Sequence, residues 1–454
     1  MLETKDWTAL RRFRQNLYDD LGHRQDSLFE LVDAVLSAPE RQTLVRLSLC
    51  PCFRRRWPST CDALADGSLD ESGLCALFVG QLPVVDRLTR EVWALDGTAW
   101  PRPQAATSSE RTWEYHPVAG TPQKHLVPAW EYQWLVGVPE ATGSWVLPLE
   151  VRRRSPGGGT PTELAIQQVR SVLAKRPPAA PRPVVTLDSG YAPGELAQAQ
   201  LAADLLVRLP RRRRLFRAPG PYRGRGAPRK HGAVFKLHDA RTHGLPDHTC
   251  TAEDPVYGHV TVAVWTQLHD QPFPSAPFRV VRVQVAHLPH QARAPEPLWL
   301  AWIGGPLPDD LRHLWRWYQR RFTVEHAFRF CKHTLGWTTI RPRAPAAGDR
   351  WTWLIAATLW QLWLARARVA DDHLPWERPC EPTRLTPGRV RRAFVGFLTT
   401  LGSPTRAPHT RGKAPGRRPG HSPGPRQRFA VAHRKPAHDR RCHCPHHRHH
   451  LTAA

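Results

Sequence analysis

Residues 309–336 read DDLRHLWRWYQRRFTVEHAFRFCKHTLG, and the spacing of their apolar side chains predicts one long helix. The apolar stripe of this helix begins with Leu311 and Leu314. An α-helix turns by about 100° per residue, so four polar side chains fall within an arc of about 60° around the helix axis, on the same side as this stripe. These are Tyr318, Arg321, Glu325 and Lys332. This face of the helix therefore points inward, and Glu325 lies where a core helix would normally carry an apolar residue.

The carboxylate of Glu325 has two interpretations. A carboxylate that is buried or faces a cleft must be paired, protonated or bound to a metal. Arg321 lies one helical turn earlier, so a salt bridge between the two is the purely structural interpretation. A catalytic role for Glu325 depends on finding further acidic residues that could join it.

Two aspartates each close an apolar strand of the sequence. Asp96 follows residues 92–95 (VWAL), and Asp188 follows residues 183–187 (PVVTL). An Asp at a strand end is more often a turn former than a ligand, but strand ends are also where α/β sheets gather catalytic groups. With Glu325, the two aspartates supply three carboxylates, enough to hold two divalent cations. Such hard ligands select Mg²⁺, with Mn²⁺ as a substitute, and two ions about 3.5–4 Å apart can promote phosphodiester displacement.

The charge balance points to a polyanionic partner. The 454 residues contain 65 Lys and Arg against 39 Asp and Glu, a net charge of +26. This excess argues against an ordinary acidic metabolic enzyme and favours nucleic acid as the partner. The N-terminus lacks the apolar segment of a secretory signal, and no apolar run reaches the roughly 20 residues that span a bilayer. We therefore expect a cytoplasmic protein that does not enter membranes.

The densest basic segment spans residues 208–230, which contain ten Lys or Arg and no acid, with Phe216 and Tyr222 between them. A solvated loop is the alternative interpretation, but such charge density suits a phosphate backbone. The candidate DNA-binding residues in this segment are Arg211, Arg212, Arg213, Arg214, Arg229 and Lys230.

The chain divides into five predicted segments. Residues 1–90 are helical and form a candidate DNA-contacting domain, with a plain helical cap as the alternative. Residues 91–210 alternate between strands and helices in the manner of a mixed α/β sheet, with helices over 162–175 and 194–204. Residues 211–297 hold the basic loop and a β-rich insertion. Residues 298–370 return to the core with the Glu325 helix and an apolar helix over 351–366, and residues 371–454 form a disordered basic tail rich in Pro, Arg and His.

The string Tyr318-x2-Arg321-x3-Glu325-x6-Lys332 resembles the Y-R-E-K signature of cut-and-paste DDE transposases from bacterial insertion sequences. The segments LDGTAW around Asp96 and VTLDSGY around Asp188 are similar to the blocks that carry the first and second acids of that family. The arginine-rich stretches PYRGRGAPRKHG and RGKAPGRRPG also resemble sequences seen in such transposases. The resemblance covers roughly residues 91–420.

The resemblance implies an RNase H-like catalytic core with Asp96, Asp188 and Glu325 as the metal-binding triad, two Mg²⁺ ions as cofactors and a β-stranded insertion before Glu325. It implies that Tyr318, Arg321 and Lys332 contact phosphates of the transposon end. The enzyme would nick the DNA at the element's ends, release the element through a hairpin and join it to target DNA. It would act as a homodimer that pairs two ends, and it would be associated with the nucleoid while bound to DNA. In some members of the family a Trp of the insertion packs against a flipped DNA base. The candidates for this Trp are Trp265, Trp299 and Trp302, and the alternative is that each is an ordinary core residue.

Two alternatives to an active transposase stay open. One is an inactive or domesticated transposase that only binds DNA. The other is an RNase H-like nuclease that cleaves DNA without joining it to a target. The presence of all three acids in the sequence favours the active enzyme over the first alternative.

Overall fold

The computed structural model describes residues 7–84, 90–117, 124–222, 224, 226–289, 295–409, 416, 420 and 424–433. Twelve strands lie within these residues: β1 (Val92–Pro101), β2 (Thr112–Pro117), β3 (Lys124–Gly137), β4 (Leu147–Arg154), β5 (Val184–Leu187), β6 (Asp204–Arg208), β7 (Arg214–Arg217), β8 (Val234–Lys236), β9 (His248–Asp254), β10 (Gly258–His269), β11 (Phe278–Val285) and β12 (Leu298–Ile303).

The α-helices of the same residues are α1 (Thr8–Asp19), α2 (Gln25–Ser37), α3 (Leu44–Leu47), α4 (Pro58–Asp66), α5 (Glu71–Gly80), α6 (Pro161–Leu173), α7 (Pro193–Gln198), α8 (Arg312–Gln319), α9 (Thr323–His333), α10 (Pro345–Ala365) and α11 (Pro387–Leu401). None of the helices in this part of the chain combines the length and the apolar character that crossing a membrane requires.

The centre of the sheet is formed by five strands in the order β4-β3-β1-β5-β6. β1 and β4 run antiparallel to β3, whereas β5 runs parallel to β1 and β6 runs parallel to β5. Continuous apolar runs such as VVTL in β5 and LLV in β6 are typical of central strands that are covered on both faces. The order and directions are those of an RNase H-like core, so the predicted mixed α/β sheet is confirmed.

The strands of the predicted insertion continue the same sheet. β12 pairs with β6 on one side and with β11 on the other, and β10 pairs with β11, β9 and β7. The sheet therefore extends without interruption from the RNase H-like centre to the basic segment, whose residues 214–217 form β7.

Helix α7 is shorter than the predicted helix over 194–204. It ends at Gln198, and Asp204 begins β6 instead. The buried carboxylate of Asp204 accepts hydrogen bonds from Arg182 Nε at 3.1 Å and from the backbone N–H of Gly305 at 2.7 Å. These contacts come from residues distant in sequence, so the local pattern does not reveal them.

The N-terminal helices share one hydrophobic core with the sheet. Helix α10 lies between α1, α2 and α4 on one side and β4 on the other, and its residues 351–362 are buried. Several arginines of the N-terminal segment, of which only Arg14 is fully buried, are paired with acids of the same segment: Arg14 with Asp33 at 2.6 Å, Arg54 with Glu30 at 3.0 Å and Arg55 with Asp26 at 3.0 Å. Part of the positive charge of this segment is therefore neutralised by its own acids.

Helix α11 is a structural element inside the predicted basic tail. Its apolar residues Val390 and Phe394 are fully buried, and the helix packs against α2 and α10. The apolar positions at i and i+4 give it a core-facing stripe, which the surrounding Pro and Arg residues mask in a composition count. Residues 434–454, with Cys442, Cys444 and six of the 24 His residues, lie outside the described residues.

Candidate active site

Asp96 and Asp188 lie side by side at the centre of the sheet. The parallel pairing of β1 and β5 ends with Leu95 opposite Leu187, and each aspartate is the next residue along its strand. Neighbouring strands lie about 4.8 Å apart, so the two carboxylates emerge at the same edge of the buried apolar layer. Asp188 is half-buried, and its Oδ1 accepts a hydrogen bond from the backbone N–H of Gly190 at 2.8 Å.

The acid-bearing helix of the sequence analysis is interrupted just before Glu325. Helix α8 ends at Gln319, residues 320–322 form one 3-10 turn, and α9 begins at Thr323. The 3-10 turn advances the chain by a different angle from an α-helix, so the side chains on its two sides no longer follow one stripe. The side chain of Glu325 is 57% exposed to solvent, while Val324 and Phe328 of the same helix are buried.

Helix α9 is held against β3, the neighbour of β1, by aromatic packing. Phe328 meets the ring of Trp134 edge to face, with ring centroids 5.8 Å apart, and Trp134 pairs directly with Asp96 across β1 and β3. This packing places the first turn of α9, with Glu325, over the strand that carries Asp96.

Arg321 bridges two of the three acids. Its Nη1 donates to Asp96 Oδ2 at 2.7 Å, and its Nη2 donates to Glu325 Oε1 at 3.5 Å. The guanidinium is 6% exposed and lies near the rings of Tyr318 and Phe322, 5.8 and 5.1 Å from their centroids. The salt bridge to Glu325 agrees with the structural interpretation of that pair, and the stronger contact to Asp96 is one that helix geometry alone does not reveal.

The three carboxylates also act on one another electrostatically. Burial raises the pKa of Asp96 to about 6, and the charges of Asp188 and Glu325 add to this effect, whereas Arg321 opposes it. The structure therefore brings Asp96, Asp188 and Glu325 into one electrostatic site, with Arg321 as the counter-charge.

This donor set fits a divalent cation in its chemistry, since three carboxylates are the hard oxygen ligands that Mg²⁺ takes. Their mutual repulsion is also what a cation would relieve. Among the described residues, however, no group of three or more His, Cys, Asp or Glu lies at metal-holding distance. In this conformation the guanidinium of Arg321 provides the positive charge at the site.

Tyr318 and Lys332 also point toward the core of the site. Tyr318 is 1% exposed, and burial raises its pKa. The Lys332 amine donates to Thr98 Oγ1 at 2.6 Å and to the backbone carbonyl of Ala99 at 3.1 Å, which fixes α9 to β1. Burial lowers the pKa of Lys332 to about 8.

The candidate residues of the basic segment differ in exposure. Arg213 is held by Asp270 through two hydrogen bonds of 3.0 and 2.7 Å. Arg211 is exposed and pairs with Glu296. The remaining candidates are exposed to solvent: Arg212, Arg214, Arg229 and Lys230. The tryptophans proposed for a flipped base are buried in the core instead: Trp265, Trp299 and Trp302.

Two further residues belong to the site and were not identified from the sequence. Glu131 of β3 pairs with Arg154, and its Oε1 lies 3.2 Å from where a Cβ would stand on Gly97. Tyr191 is buried, and its pKa is raised well above its ordinary value by burial and by the charges of Asp96, Asp188 and Glu131. The sequence contains a signal for each of them: Glu131 is an acid inside an apolar strand, and Tyr191 is the Tyr of the VTLDSGY segment.

The chain was compared with family models, curated proteins and solved structures. The model of a family described as "DDE superfamily endonuclease" matches residues 16–270, a range that contains Asp96 and Asp188 and ends before Glu325. No curated protein matches the chain. Among solved structures, the chain is similar to a piggyBac transposase in a synaptic complex with hairpin DNA, at 8% identity and a TM-score of 0.43, covering 88% of this chain and 81% of that one.

Proposed function

This chain belongs to the DDE superfamily of endonucleases, and we propose that it is the transposase of a bacterial insertion sequence. In this proposal it cleaves the ends of the element and joins them to target DNA. The observation that carries the proposal is geometric: Asp96 and Asp188 follow paired positions of the central strands β1 and β5, and Arg321 joins Asp96 to Glu325 by hydrogen bonds. The Y-R-E-K spacing of the helical segment supports the assignment to insertion-sequence transposases.

The metal cofactor of this activity would be held by Asp96, Asp188 and Glu325. We propose two Mg²⁺ ions, with Mn²⁺ as a substitute, which when bound would activate the attacking oxygen and stabilise the leaving oxygen of a phosphodiester. The protein's own residues prepare the site. The hydrogen bonds of Lys332 hold α9 beside β1, and Arg321 connects Asp96 to Glu325.

The DNA would be held by positive charge around the acidic site. Arg321 presents a guanidinium fork that suits a phosphate, and Lys332 offers a point charge once it leaves β1. Beyond the site, the exposed arginines of the basic segment and the helical residues 1–90 would contact the phosphate backbone. A homodimer would pair two DNA ends, with the protein on the nucleoid while it is bound to DNA.

The test is strand cleavage on DNA that carries the inverted repeats flanking the gene. Asp96→Ala, Asp188→Ala and Glu325→Ala are each expected to abolish Mg²⁺-dependent cleavage while binding to the same DNA in a gel shift survives. Asp309→Asn, which changes an exposed acid ahead of α8, serves as the control and should cleave normally. Cleavage by any of the three alanine variants would contradict the triad.

A DNA-binding protein without cleavage activity is the second candidate. It is favoured by one observation, the position of Arg321 between Asp96 and Glu325. Gel-shift binding without any Mg²⁺-dependent nicking by the wild-type chain would support it. Cleavage without joining of the 3′ end to a second DNA would instead indicate a nuclease that does not transpose.

A further inference from the structure

The position of Arg321 has a consequence for the order in which ligands reach the site. Its guanidinium donates to Asp96 at 2.7 Å and to Glu325 at 3.5 Å, so it lies between two of the three proposed metal ligands. An arginine side chain stays protonated at any physiological pH. A divalent cation and this guanidinium would therefore compete for the same carboxylate oxygens.

The two contacts of Arg321 differ in strength and exposure. Asp96 is 15% exposed and meets the guanidinium at a normal charge-assisted distance, whereas Glu325 is 57% exposed and its contact is long. Ion pairs at exposed positions contribute little, because water screens them. The Glu325 contact is therefore the weaker of the two, and Glu325 is the acid that is more open to solvent.

Two aromatic rings flank the guanidinium of Arg321: the buried ring of Tyr318 and the partly exposed ring of Phe322. Phe322, whose ring lies 5.1 Å from the guanidinium, is 45% exposed on the same 3-10 turn. A cation over an aromatic face is attracted by the ring, and the guanidinium could turn toward solvent while keeping this contact.

We propose that Arg321 acts as a built-in counter-ion that keeps divalent cations out of the acidic site until a DNA phosphate draws the guanidinium away. This inference rests on the proposed function, since it assigns the metal ligands and the phosphate partner. Phosphate oxygens match the fork of a guanidinium as well as a carboxylate does. DNA binding and metal binding then strengthen each other, and this coupling is reciprocal, typically by about 5- to 150-fold.

The experiment measures Mn²⁺ binding to the full chain by the loss of the free Mn²⁺ signal in electron paramagnetic resonance, with and without a double-stranded DNA oligonucleotide. The wild-type chain is expected to bind Mn²⁺ at least about fivefold more tightly when DNA is present. Arg321→Gln removes the charge and should bind Mn²⁺ without DNA about as tightly as the wild type binds it with DNA. Arg321→Lys keeps a charge that cannot bridge both acids, and its affinity should lie between the two.

The matched control is Arg176→Gln. Arg176 is 9% exposed, pairs with Glu91 and lies 5.3 Å from the ring centroid of Trp93, so it reproduces the burial and aromatic contact of Arg321 at a distance from the triad. This variant should bind Mn²⁺ as the wild type does, with and without DNA.

The outcomes separate this inference from the proposed function. If Asp188→Asn removes Mn²⁺ binding but Arg321→Gln binds no more tightly than the wild type, the counter-ion role is wrong and the metal site stands. Weaker binding by Arg321→Gln would also overturn it, because Arg321 would then be holding the carboxylates ready for metal. If Asp188→Asn leaves Mn²⁺ binding unchanged, or no variant binds Mn²⁺, both the metal site and the inference fail.

Discussion

Asp96 shows how burial and neighbouring charges act together on one side chain of the site. Asp96 is covered by packing, faces two other acids and is still ionisable because Arg321 lies 2.7 Å from its Oδ2. The sequence identified these acids from their place at strand ends, but it could not reveal the Arg321–Asp96 contact, since 225 positions separate the two residues. Glu131 was missed for the same reason, because its neighbours are set by the pairing of β3 with β1, and Tyr191 was missed because it lies in the connection between β5 and α7.

Lys332 allows a prediction at the residue scale about pH. Its pKa is about 8 in the folded chain, below the ordinary value of 10.5, because burial disfavours the charged form. The unfolded chain then binds the extra proton between about pH 8 and pH 10.5, so this residue's contribution to the free energy of unfolding rises with pH across that window. The total rise is at most about 3 kcal/mol.

The measurement compares the wild-type chain with Lys332→Met by urea unfolding at pH 7.5 and pH 9.5. The free energy of unfolding of the wild type should rise relative to that of the variant at the higher pH. A difference between the two proteins that is independent of pH would show that Lys332 titrates normally.

The secondary structure elements were predicted more reliably than their boundaries. The strands over residues 278–285 and 298–303 match β11 and β12, because apolar β-branched and aromatic runs identify buried strands. The interruption at residues 320–322 was not predicted, since a 3-10 turn differs from α-helix by one hydrogen-bond step and its residues carry no distinct signal. Helix α11 was not predicted, because the segment that contains it is basic and rich in proline overall.

Helix α11 leads to a prediction at the scale of the element. Phe394 is fully buried against the core, so Phe394→Ala should lower the free energy of unfolding by about 3–5 kcal/mol. Val395→Ala, at the adjacent and half-exposed position, is the control and should change it by about 0.5 kcal/mol or less. Equal and small effects in urea unfolding would mean that residues 387–401 do not belong to the folded core.

The whole molecule is organised around one sheet that carries both the acids and the basic segment. Local patterns predicted the mixed α/β class and the strand-rich region after the second Asp, but not that β12 would join the two parts into a continuous sheet. Strand order depends on contacts between distant residues, which a single sequence does not display. The same sheet leads from Asp96 to β7 in the basic segment, so bound DNA could contact both.

The charge of the molecule predicts a steep salt dependence of DNA binding. For each phosphate neutralised, the slope of log K against log salt should steepen by about 0.9. Replacing both Arg229 and Lys230 by Gln should therefore reduce the slope by about 1.8 if each contacts a phosphate. Arg241→Gln, which changes an exposed arginine paired with Asp239, is the control and should leave the slope unchanged. If the wild-type chain and both variants have equal slopes, the proposed role of the basic segment is wrong.

The most direct test of the proposed metal-binding triad is a change of ligand type at Asp188. Asp188→Cys replaces a hard oxygen ligand by a thiolate, which binds Mg²⁺ poorly and Mn²⁺ better. DNA cleavage by this variant should be lost with Mg²⁺ and partly restored with Mn²⁺, while the wild-type chain cleaves with either ion. Full activity of Asp188→Cys with Mg²⁺, or the same loss with both ions, would contradict a role for Asp188 as a metal ligand.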